Sequence, residues 1–195
     1  MKKNTKKIVT AAGIAAGTAA VASLYAYVTI KALIDTALDR EMPKVMEKAD
    51  KRISGEKSSD EFTNRMESAS ESLAVQPNET VEIIAHDGEK LVGHYFPCEK
   101  PERVIIAFHG WRSSWHRDFG MISDFWYKNN CSVLYVEQRG QNNSSGEYMG
   151  FGLTERFDCL DWLNWEIERC GSDIPVYLAG VSMGATTVLM AAGSG

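Results

Sequence analysis

Hydrophobic and polar positions divide the chain into three regimes. Four lysines (Lys2, Lys3, Lys6, Lys7) open it, and Ile8 to Ile30 then runs 23 residues without a charged side chain. As a helix that run is about 34 Å long, enough for a hydrocarbon core of ~30 Å. Tyr25 and Tyr27 near its far end suit a membrane interface, where an aromatic ring is apolar and its hydroxyl stays wet. Residues 1–34 are therefore expected to be a signal anchor or transmembrane helix. The lysines would keep the N-terminus in the cytoplasm and place the globular part outside the cell membrane. Two rivals share the pattern. A cleaved signal, with Ala20-Val21-Ala22 as a small-x-small site before Ser23, would give a secreted protein, and a buried helix would give a cytoplasmic one. The apolar run continues well past the cleavage site, which favours the anchor.

The second regime, residues 35–78, holds ten acidic and seven basic residues and the polar stretch Ser54 to Ser59. Ala37 to Ile53 has the charge pattern of an amphipathic helix. Ion pairs within a helix contribute only a few tenths of a kcal/mol each, so such a helix needs a packed face. The segment reads as a charged helical stalk or a cap over the domain that follows.

From Glu79 the period changes. Thr80 to Ala85 and Glu89 to Phe96 flank His86-Asp87-Gly88, a turn whose Asp-Gly pair suits a hairpin. Arg103 to Phe108, Cys131 to Val136 and Ile174 to Ala179 are short apolar runs, the mark of strands buried on both faces. Helices are expected over Phe119 to Lys128, over Leu153 to Cys170 (Leu153, Phe157, Leu160, Leu163 and Ile167 recur every three or four residues) and over Met183 to Ala192. Residues 79–195 thus predict an α/β domain: a mostly parallel sheet entered through a leading hairpin, with helices on both faces.

Composition adds exclusions. The chain is 44% hydrophobic and 24% charged, an ordinary globular mixture, and its net charge of −5 argues against nucleic acid as a partner. It carries no Walker-type or dinucleotide Gly-rich motif, so no cofactor is expected. Cys98, Cys131, Cys159 and Cys170 lack the spacing of a metal centre and read as buried thiols, which pulls toward a reducing compartment. Asp118, Asp124, Asp158 and Asp161 read as solvated surface rather than metal ligands. Arg112 and Arg117 read as exposed by default, with an acidic substrate group as the functional alternative. Of the five tryptophans, Trp162 fits a helix core, while Trp111 and Trp115 are candidates to line a substrate pocket.

The chemistry concentrates at the strand Ile174 to Ala179, which runs into Gly180-Val181-Ser182-Met183-Gly184 at the start of a helix. A G-x-S-x-G between strand and helix is a sharp turn that presents its serine above the carboxyl ends of the strands. Gly180 and Gly184 are needed because strand and helix approach too closely for a Cβ. The helix N-terminus favours a developing oxyanion, with the Met183 N–H as one donor. Ser182 is the candidate nucleophile.

These residues, together with Phe108-His109-Gly110-Trp111, Val136-Glu137-Gln138-Arg139-Gly140 and Ser144-Ser145-Gly146-Glu147, resemble the α/β-hydrolase superfamily. The closest likeness is to its bacterial serine-aminopeptidase-like and prolyl-oligopeptidase-like branch. The resemblance covers Glu79 to Gly195 and implies a partial α/β-hydrolase fold behind an N-terminal hydrophobic helix. It implies an acyl-enzyme at Ser182 acting on a small ester, amide or peptide, with the Trp111 N–H as second oxyanion donor. Gly110 would let the backbone approach substrate, and His109 would brace the loop. The sequence departs from the branch's D-x-R-G-x-G-x-S-x-G stretch in having Glu137 for Asp and Gln141-Asn142 where a Gly is usual.

In this superfamily an acid and then a histidine follow the serine. Met183 to Gly195 contains neither, and His86, His94, His109 and His116 all precede Ser182. The expectation is roughly the first two-thirds of a catalytic unit, with little activity on its own and Ser182's strand at an open sheet edge. The alternatives are a non-catalytic membrane-tethered binding protein on a hydrolase scaffold, or an acyltransferase or thioesterase.

Overall fold

The computed structural model describes residues 2–42, 44, 60–171 and 173–194, with side chains from residue 17 onward. Helix α1 (Lys2–Leu38) is continuous through the uncharged run and four residues beyond the expected boundary at 34. Its residues 17–34 are all exposed, and burial begins at Asp35. Gly17–Leu38 is long and apolar enough to cross a membrane. The helix expected over Ala37 to Ile53 falls mostly outside the described residues.

Helix α2 (Glu61–Ala74) packs against the sheet's covering layer. Leu73, 1% exposed, inserts into the core. The backbones of α2 and α3 (Trp115–Lys128) touch at Gly120, where a Cβ would lie 2.7 Å from the Ala69 carbonyl carbon.

The sheet has strands β1 (Glu79–Ile84), β2 (Lys90–Phe96), β3 (Arg103–Phe108), β4 (Cys131–Glu137) and β5 (Val176–Gly180), in the order β1-β2-β4-β3-β5. The first two form the expected hairpin, closed by Gly88 at φ 93°. β2 pairs antiparallel with β4, and β4, β3 and β5 run parallel. β5 is the last strand in that order, as the reading of its edge position anticipated.

Alternation within the buried strands sorts side chains into two cores. Ile106, Phe108, Leu134 and Val136 face Trp162 and Cys159 of α4 (Glu155–Cys170) and Ala191 of α5 (Met183–Ala192). Ile105, Ala107, Val133 and Tyr135 face Leu73, Trp115 and Phe119 from α2 and α3. Covering the sheet on both faces is what a continuous apolar strand requires. Cys131 and Cys159 are buried, Cys98 and Cys170 half-buried, and all four are free thiols.

The four aspartates do not share one fate. Asp124 is exposed, as expected. Asp158 overturns the solvated reading: it is 3% exposed and ion-paired with Arg139, which also reaches Asp87 at 2.5 Å. The Arg139 guanidinium holds the Asp87 carboxyl below its ordinary range. Asp161 accepts from the main chain and ring of His86. His86, Asp158 and Asp161 lie close together, but Arg139 already occupies Asp158.

Candidate active site

The site forms where the parallel strands end. Phe108 pairs with Gly180, so the loop leaving β3 and the turn leaving β5 emerge side by side, tied by Val181 N–H to Phe108 O at 3.0 Å. Ser182 is in a left-handed conformation, φ 51° and ψ −113°, that costs a non-glycine residue of order 1–3 kcal/mol. It stands at the start of α5 and its hydroxyl does not cap the helix, the ordinary task of a serine there. The side chain is exposed.

The two glycines are required by close approach. A Cβ on Gly184 would lie 2.0 Å from Phe108 O, and one on Gly180 would lie 2.4 Å from the Gly184 carbonyl carbon. A Cβ on Gly110 would lie 3.4 Å from Ser182 Cβ, so the β3 loop faces the serine directly.

Main-chain donors in that loop are mostly engaged. Gly110 N–H donates to Asp118 Oδ2 at 2.6 Å, Arg112 N–H to Gln141 Oε1 at 2.6 Å, and Gly184 N–H to Val181 O at 2.9 Å. The N–H groups of Trp111 and Met183 make no hydrogen bond among the described residues. They are the two that the sequence marks as oxyanion donors.

His109 is buried and neutral. Its Nε2 accepts the Gln138 N–H at 3.2 Å, so the proton sits on Nδ1, which donates to Gly110 O at 2.8 Å. Burial pushes its pKa down. Gln138 completes the brace, donating to His109 O while accepting from Thr187 Oγ1 of α5 at 2.8 Å. Asn142, φ 50°, takes the left-handed conformation for which the related motif uses glycine, and donates to Ser113 O at 3.0 Å. Glu137, where the motif has Asp, accepts from His94 Nε2 at 2.9 Å and from Asn143 N–H at 2.6 Å.

The fold is found in solved structures. No family model matches the chain, and no curated protein matches it in sequence. An esterase from Pyrococcus furiosus, Pf2001, is 26% identical over 60% of this chain and 46% of its own, with a TM-score of 0.53. DcsB, solved with a substrate analogue, is 18% identical over 61% of this chain and 42% of its own (TM-score 0.56). XC6422 from Xanthomonas campestris, an α/β serine hydrolase without a lid, is 19% identical over 61% and 57% (TM-score 0.53). The chain has the fold of the α/β-hydrolase superfamily. It spans less than half the length of the esterase and of DcsB.

In this chain the two loop side chains turn away from a pocket-lining role. Trp111 Nε1 donates to Ala37 O at 2.9 Å, and the Arg112 guanidinium, which read as exposed, donates to the carbonyls of Thr36, Asp39, Arg40 and Glu41. Trp115 is in the core, stacked on His94 at 4.5 Å. Arg117 is exposed, as expected. Asp118, Gln138, Gln141 and Asn142 were missed as loop braces, because only the fold brings their partners within reach. No histidine serves Ser182 among the described residues. His86 is held by Asp161, His94 by Glu137, His109 in the loop, and His116 between Ser70 and Ser114.

Proposed function

We propose that Ser182 is the nucleophile of a serine hydrolase of ester bonds. Its Oγ attacks the carbonyl carbon, and the N–H groups of Trp111 and Met183 hold the oxyanion. The acyl group passes to Oγ as the alcohol leaves with a proton, and water then releases the acid. His109 and Gln138 keep the loop in register, and Gly110, Gly180 and Gly184 permit the approach. The observation that carries this reading is a strained, exposed serine that declines to cap its own helix. The 26% identical esterase supports an ester over a peptide bond.

Oγ must lose its proton to a base, and none of the four histidines is placed to accept it. The base and its acid are proposed to come from polypeptide outside residues 2–194. The 195 residues alone are then expected to hydrolyse esters on the order of 10⁶-fold more slowly than a complete triad. The apolar part of α1 is proposed to anchor the domain, with the lysines cytoplasmic and the globular part outside.

A membrane-impermeant fluorophosphonate applied to intact cells making the protein from its full gene tests both points. Labelling at Ser182, absent in Ser182→Ala, is the expected result. Labelling only after permeabilisation would put the domain inside the cell. No labelling in either state would favour the non-catalytic binding protein.

A further inference from the structure

The last four carbonyls of an α-helix have no partner within the helix, and a helix that ends against its own domain must find them there. In α1 these are Asp35, Thr36, Ala37 and Leu38. Asp35 O accepts the Asp39 N–H at 3.0 Å, a bond supplied by the chain itself. The other three are satisfied by the domain. Thr36 O accepts from Arg112 at 3.1 Å, Ala37 O from the Trp111 indole at 2.9 Å, and Leu38 O from the Met149 N–H at 2.7 Å. Two of those donors are side chains of the loop that carries the candidate oxyanion amide. The cation of Arg112 is also where a helix C-terminus favours positive charge.

A second surface joins this contact. The segment after Gly146 pairs with the chain leaving α1: Arg40 N–H donates to Glu147 O at 2.8 Å, and Asp39 bridges Tyr148. Arg40 reaches Ser144 O at 2.5 Å and Asn142 O at 2.6 Å. The same segment carries exposed apolar side chains, Tyr148 at 59%, Phe151 at 39% and Leu153 at 61%. It also lies against the nucleophile's helix, since a Cβ on Gly152 would meet Thr186 Cγ2 at 2.9 Å and Met190 Sδ at 3.1 Å. One apolar rim therefore runs from the end of α1 to α5.

The distances set a depth. The uncharged run ends at Ile30, and Lys31 and Asp35 pair just beyond it. From Ile30 to Ala37 a helix rises about 10 Å. If the run fills the hydrocarbon, the Trp111–Arg112 loop is held in the headgroup layer, where tryptophan is favoured and amphipathic rims insert.

We propose that the candidate active site works at the bilayer surface and takes the acyl ester of a membrane lipid as its substrate. The substrate assignment rests on the serine-hydrolase reading; the placement does not. Acyl ester bonds of bilayer lipids lie where headgroup meets hydrocarbon, within reach of a site fixed there by its own anchor. α1 acts as a ruler as well as a tether.

Placement is tested with the protein in phosphatidylcholine vesicles. A nitrobenzoxadiazole label is put on Leu153→Cys, with Cys98 and Cys170 changed to Ser so that only buried thiols remain. A nitroxide on the lipid headgroup should quench this label at least twofold more than the same label on Glu168→Cys, in the last turn of α4 at the opposite end of the sheet. Tyr148→Cys provides an independent site should the first variant misfold. Equal quenching at the rim and at position 168 overturns the placement. For the substrate, nine Gly/Ser residues inserted after Ile30 in the full-gene protein should cut hydrolysis of a long-chain phospholipid ester in vesicles at least tenfold. Hydrolysis of soluble p-nitrophenyl acetate should be unchanged. Equal turnover of the vesicle substrate with and without the insert overturns the lipid assignment. A parent protein without Ser182-dependent hydrolysis of either ester overturns the hydrolase reading and the lipid assignment with it, while the label still decides placement.

Discussion

At the scale of single residues, the site is built from atoms that are missing. Gly184 allows Phe108 O to come within 2.0 Å of where a Cβ would stand, so a methyl group there must push β3 and α5 apart. Overpacking of this kind costs about 1–3 kcal/mol, and each kcal/mol lowers the Tm of a domain this size by roughly 2–4 °C. Gly184→Ala is therefore expected to melt at least about 2 °C below the parent in thermal circular dichroism. Gly193→Ala, whose Cβ would make only ordinary contacts at 3.5 Å, should melt with the parent. Coincident curves for parent and Gly184→Ala would mean that the turn is looser than described. The strain at Ser182 is held in place by this same crowding: Gly180 and Gly184 leave the serine no relaxed alternative. Both glycines were legible in the sequence, because the motif names a steric problem. Arg112 was not, since its partners are carbonyls more than seventy residues away and only the fold makes them neighbours.

At the scale of elements, strands and helices with their own periodicity were legible and contacts between loops were not. The β1–β2 hairpin follows from an Asp-Gly turn between alternating runs, and α5 begins and ends where its apolar pattern does. α1 outruns its uncharged stretch because Ala32, Leu33, Ala37 and Leu38 are good helix formers, so the first charge at Lys31 did not mark its end. Asp158 was misread because Arg139, which buries it, sits on another element. The loop after β4 shows a similar dependence on charge. Burial pushes the Glu137 carboxyl up, but hydrogen bonds from His94 and Asn143 outweigh it, and the pKa lies below the ordinary 4.5. A depressed folded-state value stabilises the fold above the unfolded value, and that stability is lost as pH falls through the folded one. The Tm of the parent should fall as pH drops below 4.5. Glu137→Gln, lacking the titrating group, should lose less over the same interval. Parallel Tm–pH curves for the two proteins would show that Glu137 contributes nothing to the acid limb.

At the scale of the whole molecule, the sheet is asymmetric. Its β3 and β4 are buried on both faces, whereas β5 holds the serine at the end of the strand order with Tyr177 at 55% exposure. On the adjoining helix Leu189 is exposed at 73%. An apolar strand edge with a flanking apolar helix face recruits another strand, another chain or an aggregate unless something covers it. The proposed mechanism points the same way, since on that reading a base for Ser182 would come from beyond the described residues and approach the carboxyl end of β5. One covering segment would meet both needs. For the 195 residues alone, held in detergent micelles that satisfy α1, this edge should drive self-association. Tyr177→Lys with Leu189→Lys, placing charge where edge strands commonly carry it, should shift sedimentation toward one chain per micelle without lowering the Tm. If the double variant sediments as the parent does, association runs through another surface. The open edge would then no longer link the uncovered strand to the unserved serine.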